Sequence, residues 1–101
     1  MKFIVTVKLP VEPFNSLVIE GQAGKLIGNI LDEIKPEHVY FTENNGERSA
    51  VMIVNVTDAS QIPSFSEPWY LVFEADVEYR IAMTPEDLMK SNLDALGSKW
   101  K

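Results

Sequence analysis

An Asn-Gly pair between two β-rich runs constrains this chain more than any other feature. His38-Val-Tyr-Phe-Thr-Glu43 and Arg48-Ser-Ala-Val-Met-Ile-Val-Asn-Val56 flank Asn44-Asn-Gly46. The two-residue hairpin turn whose twist matches its strands needs positive φ at both central positions, and Asn45-Gly46 tolerate it. A hairpin over Glu37 to Val56 is therefore expected, with a residue of slack on either side for a bulged loop. The other elements are expected to be added around it.

Lys2 to Leu9 reads as a strand with Phe3, Val5, Val7 and Leu9 on one face and Ile4, Thr6 and Lys8 on the other. Pro10 cannot donate a ladder hydrogen bond and ends it. Val11 to Ile34 reads as helical, with Phe14, Leu17, Val18, Gly21, Gly24, Gly28 and Leu31 at helical spacing and Ile27, Ile30 and Ile34 beside them. Gly21 is a candidate break. The helical glycines each cost about 1 kcal/mol relative to Ala, which suggests close packing of helix on sheet. Gly21-Gln-Ala-Gly24-Lys25 is not a phosphate loop: Ile19 stands where that pattern needs glycine, and Leu26 where it needs a hydroxyl. Pro36 ends the region.

After the hairpin, Thr57-Asp-Ala-Ser60 carries capping residues. Pro63 and Pro68 limit the helix over Ile62 to Tyr70 to about two turns, with Trp69 and Tyr70 leading into a last strand. That strand shows Val77, Tyr79 and Ile81 on its apolar face and Glu78 and Arg80 on the other. Thr84-Pro-Glu-Asp87 starts a helix over 85–96, capped by Thr84 and ended by Gly97. Its stripe of Leu88, Met89, Leu93 and Leu96 should pack on the domain's own edge or on a partner, and Trp100 follows between Lys99 and Lys101.

Taken together the order is β-α-β-β-α-β plus a C-terminal helix: an α+β, ferredoxin-like unit in one domain, 1–101, with 84–101 as helix and tail. The four-stranded antiparallel sheet is expected in the order 4-1-3-2, with both helices on one face. The opposite face would carry Ile4, Thr6, Lys8, His38, Tyr40, Thr42, Val51, Ile53, Asn55, Glu78, Arg80 and Ala82. That set is too apolar for water and too polar for a monomer core, which implies burial against a second copy around a partly polar cavity.

Composition excludes several classes. With no cysteine there is no disulfide framework and no thiolate nucleophile or metal ligand. A net charge of -6 repels phosphate backbones and anionic lipid, so nucleic acid and membrane surface are not expected partners. No run approaches the roughly 20 apolar residues of a membrane span. The N-terminal stretch lacks the features of a signal peptide, so a cytoplasmic location is expected. His38 is the only histidine, and no carboxylate cluster has ligand spacing, so neither metal nor cofactor is expected.

The opening Met1-Lys-Phe-Ile-Val-Thr-Val-Lys-Leu-Pro10, with Pro68-Trp-Tyr, Phe73-Glu-Ala-Asp-Val-Glu-Tyr-Arg80 and Thr84-Pro85, resembles the dimeric α/β-barrel superfamily, and within it muconolactone isomerases and their small relatives. The resemblance spans residues 1 to about 85. It implies a homodimer or higher homo-oligomer whose two sheets face each other. It also implies chemistry such as isomerisation or cofactor-free mono-oxygenation of a small carboxylate or aromatic compound. The long glycine-bearing first helical region and the helix after Thr84 depart from the small relatives.

His38 and Tyr40 are the candidate catalytic residues, His38 as a general base suited to neutral pH. Thr6, Asn55, Glu78 and Arg80 are the candidate substrate-binding residues. The bland reading of His38 is a solvated or packed strand residue. For Glu78 and Arg80 it is pairing with each other or with Lys8. Alternatively Arg80 and Lys8 together hold a small carboxylate. Two classes stay open: an enzyme on a dimeric barrel, or a non-catalytic small-ligand-binding or purely associating domain.

Overall fold

The computed structural model describes all 101 residues. Strands β2 (His38–Asn44) and β3 (Glu47–Asn55) form the hairpin. Asn45 and Gly46 take φ of 53° and 82°, the left-handed pair the tight turn demands. The Glu43 carboxylate accepts a hydrogen bond of 2.8 Å from the Gly46 N–H, tying the turn to its own strand. β1 (Lys2–Leu9) pairs antiparallel with β3 on one side and with β4 (Asp76–Ala82) on the other. The sheet therefore runs β2-β3-β1-β4, which is 4-1-3-2 counted from the opposite edge.

One face of this sheet carries the core. Val5, Val7 and Leu9 of β1 and Ala50, Met52 and Val54 of β3 are buried beneath the helices, in one cluster with Phe14, Ala23, Ile30, Ile34, Trp69 and Phe73. Phe14 lies 5.2 Å from Phe73 between ring centroids, Trp69 lies 6.1 Å from Phe73, and the Arg48 guanidinium sits 4.6 Å from the Phe14 ring centroid. Each such aromatic pair adds about 0.5–1.5 kcal/mol to the gain from burial alone.

The helical layer meets the expected elements at the first of four places, the break at Gly21, and departs from them at the other three. First, the region 11–34 is two helices, α1 (Val11–Ile19) and α2 (Ala23–Ile34). Gly21, at φ 73°, makes the break: its N–H bonds the Val18 carbonyl while Gln22 N–H bonds that of Leu17. This double closure satisfies the carbonyls at a helix end and needs a left-handed residue after the cap, which glycine adopts at no steric cost. Val18, expected in the buried stripe, is exposed one residue before α1 ends.

Second, Gly24 and Gly28 are not close-packing residues, since a Cβ at either would meet no atom within 4 Å. α2 buries Ala23, Ile30 and Ile34 instead, with Leu26, Ile27 and Leu31 partly covered.

Third, α3 (Ile62–Phe73) is 12 residues long and runs through Pro68. It follows a single tight turn over Ala59–Gln61 that Asp58 caps, its carboxylate accepting from Ser60 N–H and hydroxyl while Gln61 reaches back to the Asp58 N–H. Trp69 and Tyr70 are helical and do not lead into β4; Trp69 is 0 % exposed. An interior proline costs about 3 kcal/mol or more, and burying a Trp and a Phe, at about 3–5 kcal/mol each by the cost of truncation, offsets that. Ile81 shares the core face of β4 yet is exposed. The Tyr79 hydroxyl already reaches the Ile62 carbonyl at the first residue of α3, so the helix does not extend over Ile81.

Fourth, the C-terminal helix is two: α4 (Pro85–Lys90) and α5 (Leu93–Trp100). Thr84 and Asp87 form the expected reciprocal cap. Asn92, at φ 55°, then turns the chain and caps α5 by accepting from Ala95 N–H, so Gly97 lies inside a helix and ends none. Every residue from Pro85 to Lys101 is exposed. The stripe does not pack on its own domain; the arm projects from it and draws the molecule out to 60 × 29 × 18 Å.

Candidate functional site

The sheet face opposite the helices is uncovered within the chain, and the register lays its side chains out in rows. One row is His38, Ile53, Ile4 and Arg80; the next is Tyr40, Val51, Thr6 and Glu78; the third is Thr42, Ser49, Lys8 and Asp76. Asn55, Lys2 and Ala82 form the end row. Side chains alternate across a strand, so all six candidate residues, Thr6, His38, Tyr40, Asn55, Glu78 and Arg80, share this face. Two of the rows carry four of the candidates at their edges: His38 and Tyr40 on β2, Glu78 and Arg80 on β4.

Between those edges runs an apolar strip. Ile4, Val51 and Ile53 are half-buried, and Thr6 is only 8 % exposed although no second layer covers it. Thr6 stands between Val51 and Glu78 in the register and is a floor residue, not a reaching one. Ser49 is buried as well, its hydroxyl donating to the Val7 carbonyl at 3.0 Å. Tyr40 is the opposite case, 67 % exposed on an edge strand.

The polar candidates differ in how far the chain itself satisfies them. The Asn55 Oδ1 accepts from the Met1 nitrogen at 3.1 Å, which fixes the first strand to the third. The chain's single ion pair, Lys2 Nζ to Glu37 at 2.6 Å, closes the end of the face beside His38. That hydrogen bond from Lys2 holds the Glu37 carboxyl below the usual range. Arg80 and Glu78 pair neither with each other nor with Lys8. Arg80 stands opposite Ile4, and Lys8 lies four residues along the same strand, a separation of about 13 Å at the strand rise. Glu78 stands between them. One small carboxylate therefore meets the Arg80 fork or the Lys8 ammonium unless both side chains lean inward past Glu78.

The chain's two concavities lie away from this face. One is a groove of about 600 Å³ between the C-terminal end of α2 and the stretch of α3 from Pro63 to Leu71, lined among others by Glu33, Ile34, Phe65, Glu67 and Leu71. The other, about 320 Å³, is the angle between α4 and α5 around Leu88, Met89 and Leu93. Sequence reading missed the groove, because its walls come from two helices, α2 and α3, that are distant in the chain. No group of three or more His, Asp and Glu side chains is arranged to hold a metal ion, and no helix is long and apolar enough to cross a membrane. No protein-family model matches the chain, and a search of curated proteins finds no match.

Proposed function

We propose that this chain works as a homodimer in which two open sheet faces meet and enclose a site for a small carboxylate or aromatic compound. The single observation that carries the reading is the uncovered face itself: an apolar strip of Ile4, Val51 and Ile53 flanked by His38 and Tyr40 on one edge and Glu78 and Arg80 on the other. An apolar floor with a few convergent polar groups is the usual make-up of a small-molecule site once it is covered. In this reading Arg80 takes the carboxylate, Thr6 and Glu78 line the site, Asn55 holds its end, and Tyr40 donates a hydrogen bond. His38 is the general base of an isomerisation or a cofactor-free mono-oxygenation. The resemblance to muconolactone isomerases in the first strand and around Phe73 to Arg80 supports the same arrangement.

The alternative, pure association without a ligand, is favoured by one observation: neither concavity of the single chain lies on this face. Light scattering and a calorimetric screen of small aromatic and unsaturated carboxylates separate the readings. The expected outcome is a dimer that binds at least one such acid, with binding lost in Arg80→Ala while the dimer persists. A chain of 11.4 kDa in solution would overturn the dimer. A dimer that binds none of the acids and melts lower as Arg80→Ala would leave Arg80 structural.

A further inference from the structure

We propose that the tip of the C-terminal arm, Lys99-Trp100-Lys101, docks in the groove between α2 and α3 of a second copy of this chain. The arm is locally well made and globally unused. Thr84, Asp87 and Asn92 cap its two helices, yet no side chain of 85–101 is buried. Trp100 is 78 % exposed, and the Lys99 ammonium lies 5.7 Å from its ring centroid, so an indole and a cation are presented together. A buried indole removes about 150–250 Å² from water, and a tryptophan held out on a projecting arm removes none.

The groove supplies the matching chemistry. Ile34, Phe65 and Leu71 offer an apolar floor, with Leu71 79 % exposed, and Glu33 and Glu67 bring carboxylates to the same groove. Its volume of about 600 Å³ admits one indole with its flanking stems. Charge points the same way. The arm's three acidic and three basic side chains cancel, so the net charge of -6 sits on the body, while the last three residues bring two cations. A basic tip and an acidic body attract one another. Because the arm buries no side chain against its own body, the second copy is the occupant, and two-fold symmetry makes the exchange reciprocal. The contact uses the helix side of the molecule and does not depend on the two sheet faces meeting.

The chain has no cysteine, so single-cysteine variants report the contact without background. Full-length Ser64→Cys, at the groove, and full-length Lys101→Cys, at the tip, are mixed and oxidised. The expected result is a mixed disulfide between chains that forms about tenfold faster than either symmetric one, as for a contact with a well-seated aromatic anchor. Raising salt to about 0.5 M slows it. Trp100→Ala on the arm-bearing chain reduces it about tenfold. Glu33→Lys with Glu67→Lys on the groove-bearing chain slows it, and Lys99→Glu on the arm-bearing chain restores it. A rate indifferent to charge reversal and to Trp100→Ala overturns the proposal. So does a chain carrying both cysteines that links within itself at high dilution, which would place the tip in its own groove. A sheet-faced dimer that persists while the cross-link fails would separate this proposal from the one above.

Discussion

The body, residues 1–83, and the arm, residues 84–101, are built from the same local devices and end in opposite states. Asp58 and Gln61 cap the turn into α3 by the same reciprocal pattern as Thr84 and Asp87 at α4. α3 has an interior proline and is nevertheless continuous; α4 and α5 have none and are short, split at Asn92. What differs is burial. Ser66, Trp69 and Phe73 of α3 are buried, whereas Leu88, Met89, Leu93, Leu96 and Trp100 are all exposed. Caps decide where a helix starts, and a packing partner decides whether it tolerates an unfavourable residue.

The two tryptophans should show this contrast most strongly. Trp69→Ala is expected to cost about 3–5 kcal/mol, since it empties the centre of the core. Trp100→Ala in the dilute chain should stay within about 0.5 kcal/mol. Denaturant titration of both checks it, and equal losses would mean that the arm is folded back on the body.

Next in size is the hairpin. Gly46→Val should cost on the order of 1–2 kcal/mol, because a β-branched residue is strained at positive φ. Near-unchanged unfolding would show that the turn shifts onto Asn44-Asn45 without penalty. The two caps offer a matched pair: Asp58→Ala should lower global stability by about 1 kcal/mol, whereas Thr84→Ala should raise hydrogen exchange across α4 and leave global unfolding alone. If both act globally, body and arm form one cooperative unit.

Gly24→Ala tests the corrected role of the helical glycines. With open space at its Cβ, alanine should stabilise by up to about 1 kcal/mol, whereas a close-packed site would be destabilised. Smallest is the response to acid. Hydrogen bonds lower the carboxyls of Glu37, from Lys2, of Asp58, from Ser60, and of Asp87, from Thr84. A folded value below the unfolded one contributes stability above the unfolded value, and that contribution is lost as pH falls through the folded value. Unfolding free energy should therefore be flat near neutrality and decline below the ordinary carboxylate range of 4.5 and 3.8. The Asp87 share should appear only in arm helicity.

The sequence by itself determined what depends on near neighbours. Asn45-Gly46 set the turn, because positive φ is a property of those two residues. Thr84 with Asp87, and Asp58 near Ser60, mark helix starts, because a cap reaches at most three or four residues. Alternation in β1 and β4 placed Val5, Val7 and Val77 on one face and Thr6, Glu78 and Arg80 on the other, because a strand's side chains have a period of two. With those faces assigned, the candidate residues were legible as one surface. Asn92 as the cap that splits the arm is also legible, as an asparagine before an apolar run, although Gly97 carries the more familiar signal of a helix end. Only the tertiary structure decided the rest. Pro68 stays inside α3 because Trp69 and Phe73 find a sheet beneath them. Gly24 and Gly28 face open space because α2 turns Ala23, Ile30 and Ile34 inward instead. The groove exists because α2 and α3, distant in the chain, lie side by side, and the arm stands free because no element of its own body lies against it. Each of these is a matter of which surfaces meet across the fold, and burial free energy, unlike a cap or a turn, belongs to both partners and is written in neither alone.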